Sequence, residues 1–412
     1  MCNTKLELGD VPRNATYQIT KPELGVTAMQ PFKIDIPQPV LDDLRLRLQH
    51  TRWPDEIEDA GWDYGTNCEY LKQLAAYWQT DYDWRAQEAK LNEFAQFKAE
   101  VDGLNIHFIH IEGKGPNPTP LLLVHGWPDS FFRMVKLIPL LTDPAAHGGR
   151  VEDAFTVIVP DLPGYGFSDK PREPGYNPKR MADVLANLMT KTLGYKKYVA
   201  HGGDWGSSIV EQLALHHASA LLGIHLTDVP STHAQIADKL PDLSLAEKAF
   251  VLKNKAWQRK EAGYQKIQGT KPETLSYGLN DSPVGLLGWI IEKFHAWSDN
   301  DGNIEHTFLK DDLLTNVMIY WVTESIGSSV RLYYEAMHSP ALAAPTYVQV
   351  PTGFAIFPKD ITPAPREFAE RFFNVQRWEE MPRGGHFAAL EATGLLASEL
   401  REFTRPLRSE IR

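Results

Sequence analysis

The stretch His201-Gly202-Gly203-Asp204-Trp205-Gly206 decides how this chain reads. It follows a strand over Lys197 to Ala200 and precedes a helix over Ser207 to Leu215. Gly202, Asp204 and Gly206 occupy the G-x-nucleophile-x-G pattern of a nucleophile elbow. In such an elbow the central side chain stands on a strained strand-to-helix turn, where only small neighbours avoid a clash. The centre here is a carboxylate instead of a serine. A carboxylate in that place attacks an sp3 carbon by displacement and remains as an alkyl ester. The pattern is short, so its weight depends on what surrounds it.

Chain order supplies that context. Folds built on this elbow bring their partners in the order nucleophile, acid, base. Downstream, Asp360 closes Phe357-Pro358-Lys359-Asp360 after a strand over Gly353 to Phe357, and His386 closes Gly384-Gly385-His386 after a strand over Val375 to Met381. Both side chains are expected at carboxyl ends of strands, where open α/β sheets carry their sites. The imidazole can take a proton from water near neutral pH, and the carboxylate would orient the ring and stabilise its charged form. Upstream, the run Leu121 to Val124 leads into His125-Gly126-Trp127-Pro128. The loop after that strand and the residue after the nucleophile supply the oxyanion-hole amides in such folds, which nominates the backbone N–H groups of Trp127 and Trp205. The indoles of Trp127 and Trp205, with His125, are expected to line the substrate pocket. Asp161 to Ser168 reads as support for the fold. His107, His110, His216 and His217 lack metal-ligand spacing or visible acidic partners and read as structural.

Around these motifs the chain divides into four parts. Residues 1–96 read as a helical, aromatic-rich region packing on the core. Val40, Leu41, Leu44 and Leu48 share one face of a first helix. Tyr70, Leu71, Leu74, Tyr77 and Trp78 share a face of a second, with Thr66 and Glu69 spaced as a capping box. Residues 97–228 begin with a hairpin turning at Asp102-Gly103 and then alternate strands with helices, one of them capped by Asn177 with Pro178 following. That alternation implies a mostly parallel sheet covered on both faces. Residues 229–345 read as an inserted helical lid rich in Trp, Tyr and Lys, and residues 346–412 return to the core.

Composition removes other classes. The 42 Lys and Arg against 53 Asp and Glu leave a net charge of −11, the wrong sign for tracking phosphates, so no nucleic-acid partner is expected. Cys2 and Cys68 are too few for a disulfide framework and fit a reducing compartment. Met1 to Gly25 mixes charged residues and Pro with single apolar residues, so neither a signal peptide nor a membrane anchor is expected, and the protein reads as soluble and cytoplasmic.

From about Pro31 to Phe403 the sequence resembles the microsomal-type epoxide hydrolases of the α/β-hydrolase superfamily, which carry a helical N-terminal domain. The likeness rests on His125 to Pro128, Gly202 to Gly206, Phe357 to Asp360, and Gly384 to His386 with the following Phe387-Ala388-Ala389-Leu390-Glu391. It implies an α/β-hydrolase fold with a mostly parallel central sheet, an inserted helical lid and a helical N-terminal extension. It also implies Asp204 as nucleophile, Asp360 as acid partner and His386 as the water-activating base. Two lid tyrosines of the family hold and protonate the epoxide oxygen. Residue type alone leaves Tyr264, Tyr277, Tyr320, Tyr333 and Tyr334 open. The segments Gly263 to Pro272 and Val330 to Glu335 resemble the family's tyrosine segments and point to Tyr264 and Tyr333, with Tyr334 adjacent in the same segment. The implied reaction converts a hydrophobic epoxide and water to a vicinal diol with neither metal nor organic cofactor, and dimerisation is an expectation of the family. Two rivals stand beside it: a haloalkane dehalogenase using the same aspartate, and a catalytically silent hydrolase-fold protein that binds a hydrophobic ligand. Which epoxide is the natural one does not follow from the sequence.

Overall fold

The structure, a computed structural model, describes residues 29–339 and 346–411; the reading of Met1 to Gly25 and the exact end of the lid lie outside them. Among the described residues nine strands form one sheet: β1 (Gln30–Phe32), β2 (Gln96–Val101), β3 (Leu104–Ile111), β4 (Thr119–Val124), β5 (Phe155–Pro160), β6 (Tyr198–Gly202), β7 (Leu221–Leu226), β8 (Val348–Ile356) and β9 (Phe373–Glu380). Their order is β1-β2-β3-β5-β4-β6-β7-β8-β9. The β1/β2, β2/β3 and β3/β5 ladders are antiparallel, and every ladder from β5 to β9 is parallel. The central strands β5, β6 and β7 are buried at every residue, as parallel strands covered on two faces must be, which is why they read as mostly apolar runs without alternation. The edge strand β9 is mostly half-buried or exposed.

From β4 the chain steps to β5 on one side and β6 on the other. That reversal is a topological switch point, and it opens a crevice at the carboxyl ends of β4 and β6. Trp127 lies just past the first end and Asp204 just past the second.

Several local expectations hold. Asp102 and Gly103 turn the β2/β3 hairpin with φ of 50° and 82°, the positive pair that a two-residue turn needs. Asn177 caps the helix Pro178–Asn187 by accepting from the Arg180 N–H at 3.1 Å. The first helix, Gln38–Gln49, buries Leu41, Leu44 and Leu48. The second, Cys68–Thr80, is capped differently from the expectation. Asn67 accepts from the Tyr70 N–H at 2.8 Å, while the Thr66 hydroxyl donates to the Gly288 carbonyl at 2.7 Å. The amide one residue later holds the cap, which frees Thr66 to tie this region to the lid. Strand β1 had no signal in the sequence, because three residues are too few to show a period; it adds an antiparallel edge to β2. His107, read as lacking an acidic partner, has one, its Nδ1 meeting Asp161 Oδ2 at 2.8 Å, and His217, read as lacking metal-ligand spacing, has its Nε2 at 2.8 Å from Asp183 Oδ1. Those partners come from distant segments, invisible to local spacing.

Between β7 and β8 the chain forms the helices Leu245–Lys260, Gly263–Thr270, Pro272–Asp281, Pro283–Trp297, Lys310–Thr323 and Ile326–Met337, besides shorter turns. This layer is fastened to the sheet's rim by polar side chains. Tyr320 donates to the Asp129 carbonyl at 2.6 Å, Asn316 to the Pro128 carbonyl at 2.8 Å and Tyr165 to the Ser329 carbonyl at 3.2 Å. The N-terminal helices grip the same layer from outside, with Tyr77 donating to Asp311 at 2.9 Å and Tyr82 bonded to Thr315 at 3.0 Å. The N-terminal region therefore packs on the lid as well as on the core. Among the described residues, no helix is long and apolar enough to cross a membrane.

Candidate active site

Asp204 has φ 58° and ψ −126°, a conformation that L residues rarely adopt, and it heads the helix Trp205–His216. The glycines around it are required by close approach. A Cβ on Gly202 would lie 2.3 Å from the Gly206 carbonyl oxygen, and one on Gly206 would lie 2.3 Å from the Val124 oxygen. The elbow is thus pressed against the end of β4, and its carboxylate is turned toward the crevice.

Both Asp204 oxygens are engaged. Oδ1 accepts from the Trp127 backbone N–H at 2.7 Å. Oδ2 faces His386 Nε2 at 3.5 Å, an ion-pair separation rather than a direct hydrogen bond, and that nitrogen has no hydrogen-bond partner among the described residues. On its other side His386 Nδ1 meets Asp360 Oδ1 at 2.7 Å. The residues expected to meet therefore do meet, although 156 positions separate Asp204 from Asp360 and a further 26 separate Asp360 from His386. Burial pushes the imidazole toward its neutral form, yet Asp360 and Asp204 outweigh it and hold the His386 pKa up to about 10. The free site thus rests as an imidazolium between two carboxylates. Trp205 is the first residue of its helix, where backbone N–H groups fall outside the intrahelical ladder.

Opposite this rim stand Tyr264 and Tyr333, both buried, with ring centroids 5.9 Å apart. Burial, with Asp204 nearby, holds both hydroxyls well above the usual phenol pKa, so both stay protonated at neutral pH. Tyr334, the register neighbour, is 40% exposed and stacks on His338 at 4.0 Å, away from the crevice. Tyr277 is exposed, and Tyr320 is spent on the Asp129 carbonyl.

A cavity of about 800 Å³ including its mouth is lined by Asp204, Trp205, Tyr264, Tyr333, Asp360 and His386 among others. Its outer wall mixes Phe250, Trp257 and Ile361 with Asn254 and Gln258. Two expected lining residues are absent from it. The Trp127 indole is fully buried behind the tyrosines, stacked on Tyr264 at 5.6 Å and edge-on to Tyr333 at 5.7 Å. His125 is also fully buried, with Nδ1 at 2.9 Å from the Gly126 carbonyl and Nε2 accepting from the Leu162 N–H at 3.1 Å. With both nitrogens held by backbone, His125 shapes the loop and does not reach the cavity.

Four residues of the site carried no weight in the sequence. Asp228 follows β7 and is half-buried at the cavity wall; its Oδ1 accepts from the Asp204 N–H at 2.8 Å and the Ser207 hydroxyl at 2.7 Å. Burial, then the neighbouring Asp360, pushes its carboxyl up to about 7. The argument from strand ends that nominated Asp360 applied equally to Asp228. Arg133, buried beneath the rim, bonds Asp129 at 2.6 Å and the His386 carbonyl. Gln265 donates to the Tyr264 hydroxyl oxygen at 3.0 Å. Lys293 places its ammonium 4.5 Å from the centre of the Tyr264 ring. Among the described residues, no group of three or more His, Cys, Asp or Glu side chains is placed to hold a metal ion.

Comparison with known proteins agrees with this geometry. A family model described as epoxide hydrolase N terminus matches residues 29–134, and one described as alpha/beta hydrolase fold matches residues 119–247. Epoxide hydrolase 1 of Oryctolagus cuniculus is 39% identical over 403 residues, covering 91% of this chain and 88% of that protein. The crystal structure of juvenile hormone epoxide hydrolase from the silkworm Bombyx mori superposes with a TM-score of 0.82 at 32% identity, covering 94% of this chain and 96% of that one. Aspergillus niger epoxide hydrolase superposes with a TM-score of 0.80 at 30% identity, covering 93% and 97%. With the Asp204 elbow, His386, Asp360 and the roofing tyrosines in view, the chain belongs to the epoxide hydrolase family of the α/β-hydrolase superfamily, enzymes that open epoxides with water.

Proposed function

We propose that the reaction runs through a covalent ester on Asp204. The observation that carries this reading is the carboxylate on the strained elbow, its Oδ1 held by the Trp127 amide at 2.7 Å and its Oδ2 left toward the cavity and His386. In the first step Oδ2 attacks an epoxide carbon. The carbon–oxygen bond breaks, and the ring oxygen takes its electron pair and a proton from the hydroxyl of Tyr264 or Tyr333. The Gln265 amide donates to the Tyr264 oxygen, which leaves that phenol's own proton to be given away and supports the charge it leaves behind.

Ester formation removes the charge on Asp204. His386 then loses one of the two carboxylates that raise its pKa, so the imidazolium gives up a proton that restores the tyrosine, and neutral Nε2 becomes a base. In the second step Nε2 takes a proton from water as the oxygen bonds to the Asp204 carbonyl carbon. The developing oxyanion is Oδ1, already bonded to the Trp127 amide, with the Trp205 amide as its second donor. Collapse releases the alkoxide, which takes the other water proton and leaves as the diol; carboxylate and imidazolium are restored.

The aromatic lining supports a hydrophobic epoxide, and paired lid tyrosines have no task in displacing a halide, which separates this reading from a haloalkane dehalogenase. The pair of cysteines supports a reducing, cytoplasmic setting; a homodimer is an expectation of the family alone, and gel filtration decides it. The mechanism is tested by incubating His386→Gln with styrene oxide. A mass increase of one epoxide on the peptide holding Asp204 supports the ester, and an unmodified peptide with diol still forming contradicts it.

A further inference from the structure

The loop that carries His386 is held by the lid, and one carboxylate, Glu391, bonds to both. Four successive amides, Gly384 to Phe387, have partners outside any regular ladder. Gly384 donates to Asp299 Oδ2 at 2.9 Å, and Gly385 to Glu391 Oε2 at 3.0 Å. His386 donates to the Trp297 carbonyl at 2.8 Å, and Phe387 to Glu391 Oε1 at 2.7 Å. Glu391 Oε2 accepts in addition from the Asp299 N–H at 2.8 Å. One side chain therefore grips the amides on either side of the base and an amide of the lid segment that follows the helix Pro283–Trp297. The segments lie so close that a Cβ on Gly385 would stand 2.6 Å from the Trp297 carbonyl oxygen. The Trp297 ring reaches both sides of the site, with its centroid 5.2 Å from His386 and 5.3 Å from Tyr264.

We propose that Glu391 is the positioning residue through which the lid sets His386 for the hydrolytic half of the reaction. The inference rests on the ester mechanism above. Glu391 touches neither substrate nor the reacting atoms. Buried amides need acceptors, and a carboxylate presents two oxygens to three donors that no neutral side chain of this size satisfies together. Glutamine would turn an NH2 group either toward the Phe387 N–H or toward the Gly385 and Asp299 N–H groups, so one flank of His386 is released in both cases, and the lid with it in the second. Ring opening uses Asp204 and the tyrosines and tolerates that release. Ester hydrolysis needs Nε2 aimed at a water beside the Asp204 carbonyl carbon and does not.

The test resolves the two steps. Glu391→Gln and Asp299→Ala are mixed with styrene oxide in single-turnover quenched flow, and the ester on the Asp204 peptide is followed by mass spectrometry, with thermal melting as a check on the fold. In Glu391→Gln, ester decay is expected to slow by about 10- to 100-fold while ester formation stays within about threefold, since a base misplaced by a fraction of an ångström loses rate on this scale. Asp299→Ala is expected to change the same step in the same direction by less, and it decides the matter should Glu391→Gln not fold. Unchanged decay, or equal slowing of both steps, overturns the proposal. If ester forms on His386→Gln while Glu391→Gln decays like the parent, this inference alone fails. If no variant forms ester, the mechanism fails and takes the inference with it.

Discussion

The rim of the sheet and the lid above it build opposite halves of the same site by different means. On the rim, Asp204, Asp360 and His386 each follow their own strand, and backbone fixes them: an elbow at positive φ, an amide at 2.7 Å from Oδ1, and a loop whose four amides are all spoken for. In the lid, Tyr264 and Tyr333 sit on helices and are aimed by rings packed on rings, with the Trp127 indole beneath both. The rim holds charge that must be placed to a fraction of an ångström. The lid holds neutral hydroxyls that need only stay protonated and face inward. The groups that form and break the ester should therefore matter most, and the groups that assist the leaving oxygen less.

Removing the proposed nucleophile is the strongest way to break that comparison. Asp204→Ala should lower kcat/KM by about 10⁵-fold, as loss of a covalent nucleophile does elsewhere, and an activity within about 100-fold of the parent would mean that water attacks the epoxide directly. His386→Gln should lower turnover by about 10³-fold while ester still forms, because the base serves the second step only. Tyr264→Phe and Tyr333→Phe should each cost about 10²-fold, expressed in ester formation and not in its decay, whereas Tyr334→Phe should stay within about twofold. If Tyr334→Phe proved the damaging change, the lid's orientation would be wrong by one residue.

A pH experiment sharpens the contrast on the rim. The His386 pKa is raised above the value of about 6.5 for an unfolded imidazole, so its ion pairs contribute their full stability below that pH and lose it as pH rises toward about 10. Asp360→Asn removes one supporting carboxylate. Melting temperature measured against pH should then fall less steeply above neutrality, and the limb of ester decay that depends on a neutral imidazole should move to lower pH. The smallest effects belong to the joint between the N-terminal region and the lid. Asn67→Ala and Thr66→Ala should each destabilise by about 1 kcal/mol in urea unfolding, the first through a helix cap and the second through one hydrogen bond to Gly288.

The same contrast explains what could be read before any coordinates. Asp204, Asp360 and His386 were legible because backbone placement leaves traces in order along the chain: apolar strand, small residues, one polar side chain. Asp228 carried the same trace after β7 and was passed over, since no motif marked it. His125 was misread because its motif described a loop, and the sequence cannot show that both ring nitrogens bond backbone. Choosing Tyr333 over Tyr334 needed a helix phase that spacing in an aromatic-rich lid does not settle. The cap at Asn67 and the Asp161 partner of His107 depended, respectively, on which of two adjacent side chains turns inward and on a contact across 54 residues.

The central claim is that an oxygen of Asp204, and not of water, first bonds to the substrate carbon. A single turnover with enzyme in excess in ¹⁸O-labelled water tests it most directly, with mass spectrometry of both the diol and the peptide holding Asp204. The account predicts an unlabelled diol and one heavy oxygen in the Asp204 carboxyl. A labelled diol beside an unlabelled carboxyl would contradict it.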